Sequence, residues 1–317
     1  MEKIELRTGD RVHEIAAIVA MIRSRNRPVP VDELATLIDH AGSAVELVKL
    51  KLEDVLFSTP EADYGLAGVV SDDELRTAIE DVEGWLERGL DIRTVLDAYY
   101  PQNLHSVFDR PPLIFVGGSW REGTDRRSIA VVGTRNATRE GLARAARLTR
   151  ELVSRQFTII SGLAAGVDAT AHAAALDAGG RTVAVMGTGL DHVYPAANRP
   201  LANRIVESGG ALITQFFPHQ TPRSWMFPLR NVVMSALSMG TVVVEASETS
   251  GAKMQARVAL QHGRAVFLLR SLVESHDWAR KYVEEGAYGA QAIAVATVED
   301  IVDRLDAPEP EELRVPA

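Results

Sequence analysis

Residues 161–176 read SGLAAGVDATAHAAAL, a run of small residues that carries one aspartate and one histidine. Ser161, Gly162 and Gly166 leave the backbone nearly bare. A helix beginning near Val167 places Asp168 and His172, four apart, on one face. Such a stretch can be a catalytic pair, a phosphate cradle, or a helix that packs closely against a sheet, and spacing alone leaves all three open. His172 has no metal-ligating neighbour at a convincing spacing other than Asp168. The plainer role is an aspartate that caps backbone N–H groups and a histidine that packs. The chain contains no cysteine, so disulfides and thiolate metal sites are excluded.

Other stretches carry polar chemistry beside glycine. GTRNAT contains Gly133, Thr134 and Arg135, and a guanidinium leaving a strand end can grip a phosphate bidentately. EASETSGAK carries Glu245, Ser250, Gly251 and Lys253, and GTGLDHVYP is a fourth loop of the same kind. HQTPRSWMFPLRN interleaves Arg223, Trp225, Phe227, Arg230 and Asn231. Aromatics between arginines suit bases stacked along a single strand, or else they plug the core. The P-loop pattern G-x-x-x-x-G-K-[ST] is absent, and GTGLDH lacks the third glycine of a dinucleotide fingerprint. No nucleophile elbow stands out, and no cofactor or metal is expected.

The elements that must position these residues change character along the chain. The first hundred residues read as helices: DRVHEIAAIVAMIRSR repeats its apolar positions at helical spacing, and SDDELRTAIEDVEGWLERG opens on a serine cap with acids in its first turn. After the proline pair 111–112, short apolar runs (LIFVGG, SIAVVG, FTIISG, RTVAVMG, ALITQF, TVVVEA, AVFLLR) alternate with amphipathic helices. Continuous runs of this kind are strands buried on both faces, which implies a doubly wound, mainly parallel α/β sheet of Rossmann-like type. The expected organisation is a small helical domain over 1–110, the Rossmann-like domain over 111–305, and a disordered tail over 306–317. In such a sheet the four glycine-bearing loops share the carboxyl edge, where exposed N–H groups at helix starts favour anions.

Charge sharpens this picture. The net charge is −9, yet residues 1–126 hold 14 Lys+Arg against 24 Asp+Glu, and residues 127–300 hold 18 against 14. The mildly basic second half allows a local anion site inside an acidic chain. The N-terminus has no apolar signal region and no run is long enough to span a bilayer, so a cytoplasmic protein without a membrane partner is expected.

IAVVGTRNATREG, SGLAAGVDATAHAAALDAGGRTVAVMGTGLDHVYPAANRPL and FPLRNVVMSALSMGTVVVEASETSG together resemble the bacterial DNA-processing protein A (DprA/Smf) family. AYYPQNLHSVFDRPPLIFVGG resembles that family's lead-in, and DHAGSAVELV part of its SAM or helix-hairpin-helix-like helical domain. The resemblance implies a non-enzymatic protein that binds single-stranded DNA, loads the RecA recombinase on it, and dimerises through the Rossmann-like domain. It implies a short member without the C-terminal winged-helix domain. The positions it marks for DNA contact are Gly133, Thr134, Arg135, Ser161, Gly162, Gly166, the segment Arg223 to Asn231, and Ser250, Gly251 and Lys253. Asp168, His172 and Glu245 are expected to support them. The chain departs from the family pattern at Ala196, Ala197 and Val232, where basic residues are usual, and in the loop SGAKMQA. Two other roles remain open: a regulator acting on a toxin or phage-defence partner, and a nucleotide N-glycosidase-like enzyme using Glu245 in SMGTVVVE.

Overall fold

The computed structural model describes residues 7–24, 30–49 and 70–307. One nine-stranded sheet organises the chain. Its strands are β1 (Asp91–Thr94), β2 (Leu113–Gly118), β3 (Ser128–Val132), β4 (Thr158–Ser161), β5 (Thr182–Val185), β6 (Ala211–Thr214), β7 (Gly240–Val243), β8 (Ala265–Leu269) and β9 (Ile293–Val295). Their spatial order is β1-β2-β6-β5-β4-β3-β7-β8-β9. All pairings from β6 to β9 are parallel. The central strands β3, β4, β5 and β7 are buried along their whole length, which is why they read as unbroken apolar runs.

β2 pairs antiparallel with β6, and β1 antiparallel with β2. β2 therefore runs opposite to β3, and the connection 119–127 joins the two along the amino edge of the parallel strands. β1 also corrects the expected helical span of 1–110. Its sequence, DIRT, alternates half-buried and buried positions at the sheet's rim, so it lacks the apolar run that marks the inner strands.

The helices lie on both faces. Helices Arg139–Ser154, Val167–Asp177 and Val298–Asp306 share one core with Ile129, Val131 and Ile159. Helices Met226–Leu237 and Gly251–Gln261 cover the other face against Ala130, Val132 and Val243. Side chains cap several of these helices. The Thr138 hydroxyl accepts from Gly141 N at 2.9 Å, and Ser250 Oγ accepts from Ala252 N at 3.2 Å.

The N-terminal helices are continuous with this second core. Helix Arg11–Arg23 buries every residue from Ile15 to Met21. Helix Asp72–Glu87, begun by a Ser71/Glu74 capping box, delivers Trp85 to the sheet. The Trp85 ring stacks on Phe217 at 5.6 Å and meets Phe115 edge-on at 5.2 Å, contacts worth about 0.5–1.5 kcal/mol each beyond area burial. Of the helix expected over SAVELVKLKLEDVLF, Ala44–Lys49 is described. Its remainder and the expected tail beyond residue 307 lie outside the described residues.

Winding from β3 through β6 proceeds in one direction, and β7 then returns to the opposite side of β3. The connections leaving β3 and β7 therefore diverge onto different faces. A crevice opens between them at the carboxyl edge, where a sheet of this topology binds its ligands.

Candidate nucleic-acid interface

The crevice has a volume of about 420 Å³. The turn after β3 supplies Gly133, Thr134 and Arg135, the loop after β7 supplies Ser247, Thr249 and Ser250, and helix Met226–Leu237 supplies Phe227, Arg230 and Asn231. Arg135 is exposed, and its guanidinium carbon lies 5.3 Å from the centre of the Phe227 ring. Among the described residues no acidic side chain pairs with it. Two helices begin here, Met226–Leu237 and Gly251–Gln261, so the positive ends of their dipoles lie at the crevice.

Arg230 forms the floor. It is 6 % exposed, with Nη1 donating to the carbonyls of Gly162 and Val185 and Nε donating to Asn231 Oδ1 at 3.2 Å. Burial pulls its pKa below the ordinary arginine value, while the field of Asp168 opposes that shift. Burial raises the Asp168 carboxyl in turn, against Arg230 and the N–H groups of Ala164 and Gly162. The two charges are mutually dependent, because each would be costly to bury without the other.

SGLAAGVD is thereby a scaffold, and the structure corrects its expected role as an open phosphate cradle. Ser161 is fully buried and its hydroxyl donates to Val131 O at 2.7 Å. Gly162 N donates to Asp168 Oδ2 at 3.2 Å, and the Gly162 carbonyl is occupied by Arg230. Gly166, at φ 80°, lets the carbonyls of Thr134 and Arg135 approach so closely that a Cβ would collide with them. The turn braces the Arg135 loop and offers no free N–H at Gly162. Asp168 and His172 share the buried side of their helix and serve different partners. His172 Nδ1 lies 2.7 Å from Thr182 Oγ1, which itself donates to Ile159 O. The proton therefore sits on Nδ1. Desolvation, with the positive field of Arg230 added, lowers the His172 pKa to about 3.

The basic-aromatic segment divides in two. Its helix begins at Met226, so residues 227, 230, 231 and 234 fall on the crevice side and 225, 229 and 232 on the other. Trp225 is 50 % exposed and meets Phe216 edge-on, and Arg223 is exposed beside His219 and Thr221. Neither lines the crevice. Read as an extended loop, the segment merges faces that helical phase separates. The same reason removes Lys253. Its ammonium pairs with Glu248 and lies 5.8 Å from the Trp278 ring, while Gly251, Met254 and Gln255 of the same helix line the crevice. The fourth loop, GTGLDHVYP, stands behind the crevice. A Cβ at Gly187 would fall 2.7 Å from Phe227, and Tyr194 packs against the same ring at 5.6 Å.

Glu245 closes the rim from behind. Its carboxylate accepts from Thr138 N at 3.1 Å and from Thr138 Oγ1 at 2.7 Å, and Thr134 N donates to its carbonyl at 2.7 Å. It thus ties the β7 loop to the β3 turn that presents Arg135. Gln255 also lines the crevice, a residue that the sequence does not single out. A polar residue among Ala252, Ala256 and Ala259 on the buried side of a helix was the available signal.

Comparison with known proteins agrees with this fold. The sequence model of the family described as DNA recombination-mediator protein A matches residues 91–306. The chain belongs to this family. It is 35 % identical to the DNA processing protein DprA of Bacillus subtilis over 221 residues, covering 69 % of this chain and 72 % of that protein. The crystal structure of DNA processing protein A from Streptococcus pneumoniae superposes with a TM-score of 0.70 at 25 % identity, covering 97 % of this chain and all of the other. A structure of the family member from Helicobacter pylori, described for its single-stranded DNA binding mode, superposes with a TM-score of 0.57 at 25 % identity, covering 68 % of this chain and 95 % of that one. Among the described residues no helix is long and apolar enough to cross a membrane.

Proposed function

We propose that the chain binds single-stranded DNA in the crevice between β3 and β7. The observation that carries this reading is the unpaired Arg135 guanidinium above the Phe227 ring, at a place where two helix N-termini converge. A phosphate draws the Arg135 guanidinium to itself at the positive helix ends, and the Phe227 face that the guanidinium covers then opens to an unstacked base. A space of about 420 Å³ suits one nucleotide unit better than a duplex. The excess of acidic residues lies in 1–126, so the mildly basic second half is the part of the chain whose charge favours a nucleic acid. The single-strand binding described for the Helicobacter pylori relative supports the same assignment.

Binding rather than catalysis is the reading supported by Glu245, whose two carboxylate oxygens are engaged by Thr138. Delivery of the bound strand to the RecA recombinase, and assembly as a homodimer, belong to the same proposal through the family resemblance.

Fluorescence anisotropy with labelled single- and double-stranded oligonucleotides at low and physiological salt tests the proposal. The wild type is expected to prefer the single strand and to lose affinity steeply with salt. Arg135→Ala is expected to weaken binding about 10- to 30-fold on all sequences alike and to reduce the salt slope by about 0.7. Absence of binding at low salt, or equal affinity for duplex, would refute it.

A further inference from the structure

Gln255 sits in the second turn of helix Gly251–Gln261, where it borders the crevice beside Asn231 and Met234. It is 1 % exposed, and neither its Nε2 nor its Oε1 has a hydrogen-bond partner. Among the described residues it is the only side chain with both ends of a polar group buried and unpaired. Its helix neighbours on the packed side are Ala252, Ala256 and Ala259, so a leucine would fill the position without leaving polar atoms unsatisfied. An amide kept there at such a cost calls for a partner that comes from outside the chain.

A primary amide presents one donor and one acceptor side by side, the pattern that the edge of a nucleobase matches bidentately. Phe227 lines the same crevice with the Arg135 guanidinium over its ring, a face that opens to a base when Arg135 turns to a phosphate, and Asn231 adds a second amide whose Oδ1 is already held by Arg230. We infer that Gln255 is a specificity-determining residue that hydrogen-bonds the edge of one base of the bound strand. This rests on the single-strand reading above and adds to it: the crevice reads a base as well as holding a backbone.

Ten-nucleotide strands of dA, dC and dT and an abasic strand of equal length, titrated against the wild type, Gln255→Leu and Arg135→Ala, test the inference. The wild type is expected to rank the three homopolymers and to bind the best of them about tenfold more tightly than the abasic strand. Gln255→Leu is expected to bring the three homopolymers within about twofold of one another while the abasic strand stays weaker, because Phe227 still stacks. Its melting temperature is expected to stay level or rise, since a buried unpaired amide is removed. A Gln255→Leu protein that keeps the wild-type ranking would overturn the inference and leave strand binding standing. A melting temperature several degrees lower would also overturn it, because the amide would then have a structural partner such as a buried water. Arg135→Ala should lower all four affinities by a common factor. A wild type that binds none of the strands would overturn the single-strand reading and the role of Gln255 together.

Discussion

Arg230→Leu is expected to destabilise the fold by about 3–5 kcal/mol, the range for removing one member of a buried charged pair. Three consequences add up in that substitution. Asp168, whose carboxyl burial already raises, loses the positive field that opposes that rise. The carbonyls of Gly162 and Val185 lose their donor, and buried unpaired carbonyls are costly. The Gly162 turn also loses the contact that holds it under the Arg135 loop. Thermal unfolding followed by circular dichroism should show a melting temperature lower by roughly 10 °C. Adding Asp168→Asn should restore part of the loss, because the orphaned charge is then gone. A single variant that melts within about 2 °C of the wild type would contradict the account of the crevice floor.

The second large effect is acid sensitivity centred on His172. Its folded pKa is about 3, whereas the unfolded imidazole titrates near its ordinary value. Between about pH 6.5 and 3 the unfolded chain binds a proton that the folded chain refuses, so stability falls as pH falls through that window. The slope approaches 1.4 kcal/mol per pH unit, which amounts to about 2 kcal/mol between pH 7 and 5. Asp168, with its raised carboxyl pKa, works in the opposite sense on acidification. The carboxylates of Asp300 and Asp306, held below their ordinary values, act mainly below that range. Urea unfolding of wild type and His172→Gln at pH 7, 6 and 5 isolates the histidine. The variant should lose about 2 kcal/mol less over that interval. Equal losses in the two proteins would show that His172 is protonated in the folded state.

Much of this architecture is legible in the sequence, because strands buried on both faces must be apolar throughout. SIAVV, TIIS, TVAV and GTVV therefore announce themselves, and the glycine-bearing loops that follow them mark the carboxyl edge. Strand DIRT does not, since it lies at the sheet's rim and keeps a charged, alternating sequence. At the site, Gly133, Thr134 and Arg135 were found from their place after a strand, and they line the crevice. Proximity in sequence groups Arg223, Trp225 and Lys253 with the site, but Arg223 and Trp225 lie ahead of the helix on its other side and helix phase points Lys253 away. Arg230 illustrates a deeper difficulty. Nothing local distinguishes an arginine that reaches into solvent from one that reaches two carbonyls 45 and 68 residues away. Gln255 is hidden for the same reason, because only tertiary packing shows that its amide lacks a partner.

Hydrogen exchange of the chain with and without a single-stranded oligonucleotide tests the central claim most directly, because it locates the strand as well as detecting it. Binding in the crevice predicts slowed exchange in residues 133–138, 226–231 and 247–255, with little change in 219–225. Protection confined to 219–225 or to the N-terminal helices, with the crevice loops unaffected, would place the strand elsewhere and contradict the claim.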